Sequence, residues 1–169
     1  TTEDFVKALE AASGRDLMQF RRWYDQAGTP VVTASGEYLA DQESYRLTLS
    51  QQTPATPGQS DKAPLHMPIT LGLIGPDGQD LDFQGAEVSL DGQSRSQVLS
   101  LTEAQQVFEI KGVAQAPLPS IARGFSAPIK LLMDYSAEEL AFLCRHDSDP
   151  FNRWEAGQRL AVLTIESVQ

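Results

Sequence analysis

Residues 45–50 read YRLTLS, a run in which every second residue is apolar and the residues between are polar. Successive side chains of a β-strand point to opposite faces, so this alternation predicts a strand with one buried face. Residues 67–73, MPITLGL, repeat the pattern, and residues 75–78, GPDG, supply the residue types of a tight turn. The centre of the chain is therefore predicted to be a β-sheet domain.

The same two-residue periodicity extends outward over residues 29–135. Further strands are predicted at residues 30–33, followed by a polar hairpin around Gly36, and at residues 96–101, 106–110, 120–125 and 129–135. About seven or eight short strands with frequent turn signals are typical of a β-sandwich. No helical pattern separates them, so they should pair mainly antiparallel. The predicted fold class is mainly β: an immunoglobulin-like antiparallel β-sandwich flanked by two N-terminal and two C-terminal helices.

The N-terminal residues predict two short helices. The first is capped by Thr1 or Thr2 and ends at Gly14. Its predicted apolar stripe consists of Phe5, Leu9 and Ala12. The second begins at Asp16 and ends at Gly28, and its predicted inward residues are Leu17, Phe20, Trp23, Tyr24 and Ala27.

The C-terminal residues predict two more helices. Ser136 and Glu139 form a capping box, in which each side chain satisfies a backbone N–H of the other residue. Asp149 followed by Pro150 is a second start signal. The predicted apolar stripes are Leu140, Leu143 and Cys144 on the first helix, and Phe151, Trp154, Ala161, Ile165 and Val168 on the second.

Composition excludes several classes of partner. The 13 Lys and Arg residues face 23 Asp and Glu residues, for a net charge of −10, so neither nucleic acid nor an anionic membrane is expected to bind. No run approaches the ~20 apolar residues of a membrane helix, and the N-terminus lacks the pattern of a signal peptide. The single cysteine, Cys144, is consistent with a reducing bacterial cytoplasm. The absence of an initial Met leads us to expect a piece of a longer protein.

The sequence contains no recognisable metal or catalytic motif. The zinc motif H-E-x-x-H is absent, and the only histidines are His66 and His146. His146 could form a metal triad with Asp147 and Asp149, but a histidine near a helix C-terminus more often interacts with the helix dipole. The structural interpretation is therefore favoured.

Other candidate residues also favour structural roles. Cys144 lies at helical spacing among apolar residues and is expected in the core instead of acting as a nucleophile. The carboxylate pairs Glu138–Glu139 and Asp80/Asp82 are interpreted as a solvated helix start and a solvated turn. The sequence thus predicts no catalytic, cofactor-binding or metal-binding residue.

Four separated stretches carry a family resemblance. They are FRRWYDQAGTP (residues 20–30), YRLTLSQQTPATPGQSDKAPLHMPI (45–69), FSAPIKL (125–131) and HDSDPFNRWEAGQRL (146–160). In this order they closely resemble a segment of the bacterial aminopeptidase N family, the thermolysin-like zinc aminopeptidases that remove N-terminal residues from peptides. The resemblance covers nearly the whole chain.

The resemblance implies a division of the chain. Residues 1–28 would be the terminal helices of a catalytic domain, residues 29–135 a β-sandwich spacer, and residues 136–169 the first helices of a C-terminal helical domain. The family's zinc site lies in the preceding domain, so the resemblance implies no zinc ligand here. We therefore expect a non-catalytic spacer whose partners are the neighbouring domains of the same protein.

One alternative function and one further consequence remain open. The alternative is a free-standing immunoglobulin-like module that binds another protein. If the chain is instead a spacer, its end helices carry apolar faces without a partner. In isolation it should cover them by folding the helices onto the sandwich or by self-association.

Overall fold

The computed structural model describes residues 1–88 and 94–167. In chain order, its elements are α1 (Thr2–Ser13), α2 (Arg22–Asp25), β1 (Val31–Leu39), β2 (Ser44–Gln52), β3 (Met67–Ile74), β4 (Glu87–Val88), β5 (Arg95–Leu101), β6 (Gln105–Lys111), β7 (Leu118–Ile121), β8 (Lys130–Met133), α3 (Ala137–His146) and α4 (Pro150–Glu166). The predicted inward residue Val168 lies outside the described residues. Within the described residues, no helix has the length and apolar character required to cross a bilayer.

Two four-stranded sheets form the centre of the molecule. The first has the order β6-β2-β1-β8 and the second the order β4-β5-β3-β7. Neighbouring strands pair antiparallel except β1 and β8, which run parallel. The predicted mainly β, immunoglobulin-like sandwich with helices at both ends is confirmed, and the parallel pair is the one exception to the antiparallel pattern among the described strands.

The core between the sheets consists of the residues that the alternation selects. Leu47 and Leu49 of β2 are fully buried, as are Ile69 and Leu71 of β3, and all four belong to one hydrophobic cluster. Burying a side chain of this size contributes about 1.5–3 kcal/mol relative to leaving it exposed. The two runs that predicted the sheets therefore supply much of what holds them together.

The predicted hairpin around Gly36 is wrong. Gly36 lies within β1, opposite Leu47, and the chain turns later, at residues 40–42, with Glu43 in a left-handed conformation. A Cβ atom at Gly36 would lie 1.8 Å from the hydroxyl oxygen of Tyr45. The glycine is thus required for the packing of a neighbouring ring instead of for a turn.

The second N-terminal helix is shorter than predicted. It covers only Arg22–Asp25, and the Asp16 carboxylate closes a turn by accepting from the backbone N–H of Met18. Tyr24 and Ala27, expected to point inward, are exposed. Trp23 does pack on the sandwich core and donates to the carbonyl oxygen of His66 at 2.8 Å. Bonds to the sandwich, and not helical periodicity, shape this segment.

The first helix has the predicted ends but a different buried residue. Thr1 caps α1 in a capping box with Asp4, and Gly14 ends it at a φ of 66°. Val6 is buried, whereas the predicted stripe residues Phe5 and Leu9 are 60% and 41% exposed. The apolar stripe therefore faces away from the rest of the chain.

The C-terminal helices begin where predicted, with Ser136 and Glu139 forming the capping box of α3 and Asp149 capping α4. Leu140 and Leu143 are buried, as expected. On α4 the predicted inward face is wrong. Ala156 is its buried residue, while Trp154 is 58% and Ile165 61% exposed. Ala156 packs in an apolar cluster with Leu140 and Leu143 of α3, and polar side chains of α4 bond the sandwich, as described below.

Replacement of Gly36 tests the close packing of β1 on Tyr45. The Tyr45 ring is buried, so it cannot swing away from a new methyl group. We expect Gly36→Ala to lower the free energy of unfolding in urea by about 1–3 kcal/mol. Gly157→Ala, within α4, is the matched control and should be neutral or stabilising. Equal effects of the two substitutions would contradict this interpretation.

Candidate functional site

The helical pair α3–α4 meets the sandwich at a cluster of buried and half-buried polar side chains. We call this cluster the joint and define it as Asp80, Ser120, Arg123, Asp147 and Asn152. Asp80 follows β3, Ser120 lies in β7 and Arg123 follows β7. Asp147 is the C-cap residue directly after α3, and Asn152 lies in the first turn of α4. The joint therefore brings both parts of the molecule into direct contact.

The position of Arg123 depends on the backbone around it. The predicted strand at residues 120–125 ends early, at Ile121, because Ala122, Gly124 and Phe125 all adopt positive φ values. Left-handed residues cannot continue a strand. The turn directs the Arg123 side chain over β3, where a Cβ atom at Gly72 would lie 2.0 Å from the guanidinium carbon. Gly72 thus makes room for the charge.

Arg123 and Asp80 form a bidentate ion pair. Nη1 of Arg123 donates to Oδ2 of Asp80 at 2.9 Å, and Nη2 donates to Oδ1 at 2.8 Å. Both side chains are 3% exposed. Burial alone would raise the pKa of Asp80, but the hydrogen bonds and charge of Arg123, together with hydrogen bonds from Arg95 and Ser148, outweigh that effect and hold the pKa below its usual value.

The helical pair supplies further partners to this ion pair. Asp147, whose side chain is fully buried, lies 3.0 Å from Nη2 of Arg123 through Oδ1. The Ser148 hydroxyl donates to Asp80 at 2.7 Å, and Nδ2 of Asn152 donates to Ser120 at 2.8 Å. Burial raises the pKa of the Asp147 carboxyl, and the charge of Arg123 only partly offsets this. The two carboxylates of the joint are therefore shifted in opposite directions.

α4 also contacts the edge strands of both sheets. On one side of the sandwich the sheets end in β8 and β7. Asn152 donates to the carbonyl oxygen of Ile121 at 3.0 Å, and Arg159 donates to that of Met133 at 2.6 Å. Edge strands carry unpaired backbone groups that other chains can bind. Polar side chains of one helix satisfy two of them here.

An apolar cluster adjoins the joint. Ile74 at the end of β3 packs with Tyr135, Leu140, Leu143 and Ala156, all of them buried. The Tyr135 hydroxyl also donates to the carbonyl oxygen of Pro119 at 2.9 Å. This cluster is separate from the core between the sheets. The contact between sandwich and helical pair thus has an apolar part and an ionic part.

A groove of about 750 Å³ opens beside this contact. Residues of β1, β8, the turn after β7 and α4 line it. The rings of Phe125 and Phe151 lie 5.3 Å apart on its wall, and Phe125 and Leu132 are 53% and 43% exposed.

The structure changes the interpretation of one pair of candidate residues. Asp80 was predicted to lie in a solvated turn with Asp82, but its side chain is buried because Arg123 pairs with it. Asp82 matches the expectation, with a side chain 74% exposed. Arg123 was not singled out in the sequence. An arginine within the otherwise apolar and small-residue stretch LPSIARGFSA, residues 118–127, was the available signal.

The remaining candidates take structural positions. His146 ends α3, and its ring packs against Phe142 at 4.6 Å. Cys144 is half-buried beside the apolar cluster. Within residues 1–88 and 94–167, no three His, Cys, Asp or Glu side chains are placed to hold a metal ion. Asp80 and Asp147 both pair with the guanidinium cation of Arg123.

Removal of the Arg123 charge tests the joint. Arg123→Met leaves two buried carboxylates without their cation, and we expect it to lower the free energy of unfolding by about 3–5 kcal/mol. Arg46 pairs with Glu37 on the surface, where their side chains are 44% and 64% exposed. Arg46→Met should therefore cost about 1 kcal/mol or less. Urea unfolding of both variants would show whether loss of the buried ion pair lowers the free energy of unfolding more than loss of the exposed one.

Comparison with known families and proteins gives consistent matches. Residues 28–134 match a domain of unknown function (DUF3458) with an Ig-like fold, and residues 137–168 match DUF3458_C, described as ARM repeats. Aminopeptidase N of Escherichia coli (strain K12) is 43% identical over 166 residues, which cover 98% of this chain and 18% of that protein. Aminopeptidase N of Haemophilus influenzae is 43% identical over 160 residues, or 95% of this chain and 18% of that protein.

A solved structure agrees with these matches. Legionella pneumophila aminopeptidase A in complex with aspartic acid aligns with a TM-score of 0.80 and 26% identity, over 99% of this chain and 17% of that chain. The chain therefore spans less than a fifth of the length of these relatives. By its match over residues 28–134 the chain belongs to the DUF3458 family of Ig-like domains, and it is homologous to that region of bacterial aminopeptidase N.

Proposed function

We propose that this chain is a non-catalytic structural segment of a zinc-dependent aminopeptidase that removes N-terminal residues from peptides. In this proposal, residues 1–28 end a catalytic domain, residues 29–135 form a spacer, and residues 136–169 begin a C-terminal helical domain. The homology supports it, since the chain aligns with 18% of the length of the Escherichia coli relative. The spacer would position the helical domain against the catalytic one, in the cytoplasm of a bacterium.

The joint is the observation that carries this proposal. A spacer must fix the orientation of what it connects, and directional bonds do so better than apolar contact, which is non-directional. Ser148 and Asn152 of the helical segment donate to Asp80 and Ser120 of the sandwich, and Asp147 lies 3.0 Å from Arg123. The helical pair is thereby held at a defined angle to the sandwich.

Exposed apolar residues at both ends supply further support. Phe5 on α1 is 60% exposed, and Trp154 and Ile165 on α4 are 58% and 61% exposed. Helical repeats of the ARM type bury such faces by stacking against neighbouring repeats. We propose that adjoining helices of a longer protein cover these residues, and that the isolated chain self-associates through them.

A protein-binding module is the second candidate function. The groove of about 750 Å³ with its exposed Phe125 and Leu132 favours it, because exposed apolar surface beside an edge strand is suited to a peptide. The two functions differ in what they require of the end helices. A free-standing module has no use for exposed Phe5 and Ile165, so the spacer function is favoured.

The isolated chain should have no peptidase activity of its own. Its described residues offer no set of metal ligands, so we expect neither turnover of an alanine anilide nor stoichiometric zinc by elemental analysis. Purified chain should be assayed with added zinc as well, to separate a lost metal from an absent site. Reproducible turnover by pure protein would overturn the proposal.

Weakening the joint in the longer aminopeptidase should reduce its activity without removing its zinc. Asn152→Ala removes the hydrogen bonds to Ser120 and Ile121, at a cost of about 1–3 kcal/mol. We expect a lower kcat/KM with unchanged zinc content and an intact fold by circular dichroism. Arg153→Ala, at the next and exposed position of α4, is the matched control. Equal activity of both variants and the wild type would count against a positioning role.

A further inference from the structure

The joint carries an unbalanced negative charge. One guanidinium, that of Arg123, faces the two carboxylates of Asp80 and Asp147. Arg123 bonds Asp80 bidentately but reaches Asp147 with a single nitrogen, Nη2. Water is largely excluded, because the three side chains are between 0% and 3% exposed. A buried charge without full compensation is strongly disfavoured, and a carboxylate can remove it by binding a proton.

Asp147 is the carboxylate suited to bind that proton. Its Oδ1 accepts from the backbone N–H of Asp149 at 2.9 Å and pairs with Arg123, while its Oδ2 is buried and accepts no hydrogen bond of good geometry from the described residues. Burial keeps the pKa of Asp147 raised and outweighs the Ser120 hydroxyl, which favours the ionised form. Asp80 differs, since its Oδ2 also accepts from Ser148 and from the backbone N–H of Arg95. Hydrogen-bond donors of the protein therefore stabilise the ionised carboxylate of Asp80 well and that of Asp147 poorly.

The groups around Asp147 do not supply the missing positive charge. Apart from Arg123, the one arginine among these groups, Arg159, is engaged elsewhere. The titratable residues that line the adjoining small cavity or act on its charge are Asp149, Tyr135, Glu155 and Arg159, and His146 precedes it in α3. The guanidinium of Arg159 lies over the Tyr135 ring, 5.2 Å from its centroid, and donates to Met133. Asp149 adds negative charge nearby and disfavours ionisation of Asp147.

We propose that Asp147 is a proton-binding residue of the joint and that the helical pair is held more tightly against the sandwich when Asp147 is protonated. The effect of this proton on domain positioning rests on the proposed spacer function. The existence of the proton-binding site does not depend on that function. Uptake of a proton removes the unbalanced charge and leaves the bidentate pair of Arg123 and Asp80 neutral as a whole. Loss of that proton at higher pH restores the charge and loosens the contact.

The direction of the pH effect follows from the pKa shifts. The pKa of Asp147 is raised above its ordinary value of 3.8, so the stability linked to it is greatest at low pH and falls as pH rises through the raised pKa. The pKa of Asp80 is lowered, so its stabilising effect is present above 3.8 and lost as pH falls below it. The change in stability due to Asp147 can therefore be distinguished from that due to Asp80, because it occurs above pH 3.8.

Carboxyl-carbon NMR titration of the 169-residue chain tests the site directly. We expect the Asp147 resonance to titrate with a midpoint above 3.8 and the Asp80 resonance with a midpoint below it. A midpoint for Asp147 at or below 3.8 would overturn the proposal. Glu138→Gln, which removes an exposed charge from the same helix, is the control and should leave the Asp147 titration unchanged.

Hydrogen exchange tests the consequence for the helical pair. After correction for intrinsic exchange rates, α3 and α4 amides should lose protection as pH rises above 3.8, by about tenfold for each unit by which the pKa is raised. Amides of β2 and β3 should change less. Asp147→Asn should abolish the difference, and a pH dependence unchanged in that variant would overturn the proposal. If the variant does not fold, the wild-type titration still decides.

These outcomes are independent of the proposed function. A raised Asp147 midpoint together with normal activity of a joint-weakened aminopeptidase would retain the proton site and reject the spacer function. An Asp147 midpoint at or below 3.8 together with lost activity would reject the proton site and retain the spacer function. The two proposals can therefore fail separately.

Discussion

The burial of the Arg123 guanidinium between Asp80 and Asp147 is the constraint on which the arrangement of sandwich and helices depends. Removing an ion from water costs several kcal/mol, and that cost is offset only when its partners are correctly placed. The partners come from three separate segments: the connection after β3, the turn after β7 and the end of α3. Since all three must be in place together, the ion cluster disfavours alternative positions of the helical pair. Gly72 is part of the same constraint, because any side chain there would displace the guanidinium.

The sheet edges explain why the helices dock where they do. β7 and β8 end their sheets on the same side of the sandwich, and α4 donates hydrogen bonds to both through Asn152 and Arg159. A sandwich with open edges tends to pair with other chains, and covering an edge with a helix is one remedy. The polar face of α4 therefore satisfies one carbonyl at the end of each edge strand. Its apolar residues Trp154 and Ile165 are left to face outward.

The parts of the fold that local periodicity determines were predictable from the sequence. The buried faces of β2 and β3 and the caps of α3 and α4 follow from residues close together in the chain. The errors arise where distant residues decide. Gly36 serves the ring of Tyr45, and the α2 segment is shaped by bonds to the sandwich. Arg123 pairs with a carboxylate 43 positions away, which no local pattern encodes. For the same reason the sequence indicated helices at the ends but not the joint that attaches them.

The apolar part and the polar part of this contact make different contributions, and the difference gives a reason for burying charges there. The apolar cluster around Ile74 and Leu140 contributes free energy, but apolar burial tolerates sliding and rotation. The hydrogen bonds that cross from the helices, from Ser148 to Asp80 and from Asn152 to Ser120 and Ile121, tolerate little of either. Replacing the ions with apolar residues could preserve stability while losing the defined angle. A segment selected only for stability would have no need of the uncompensated carboxylate of Asp147. A segment selected for orientation can retain this carboxylate, because it lies at the contact that sets the angle between the helical pair and the sandwich.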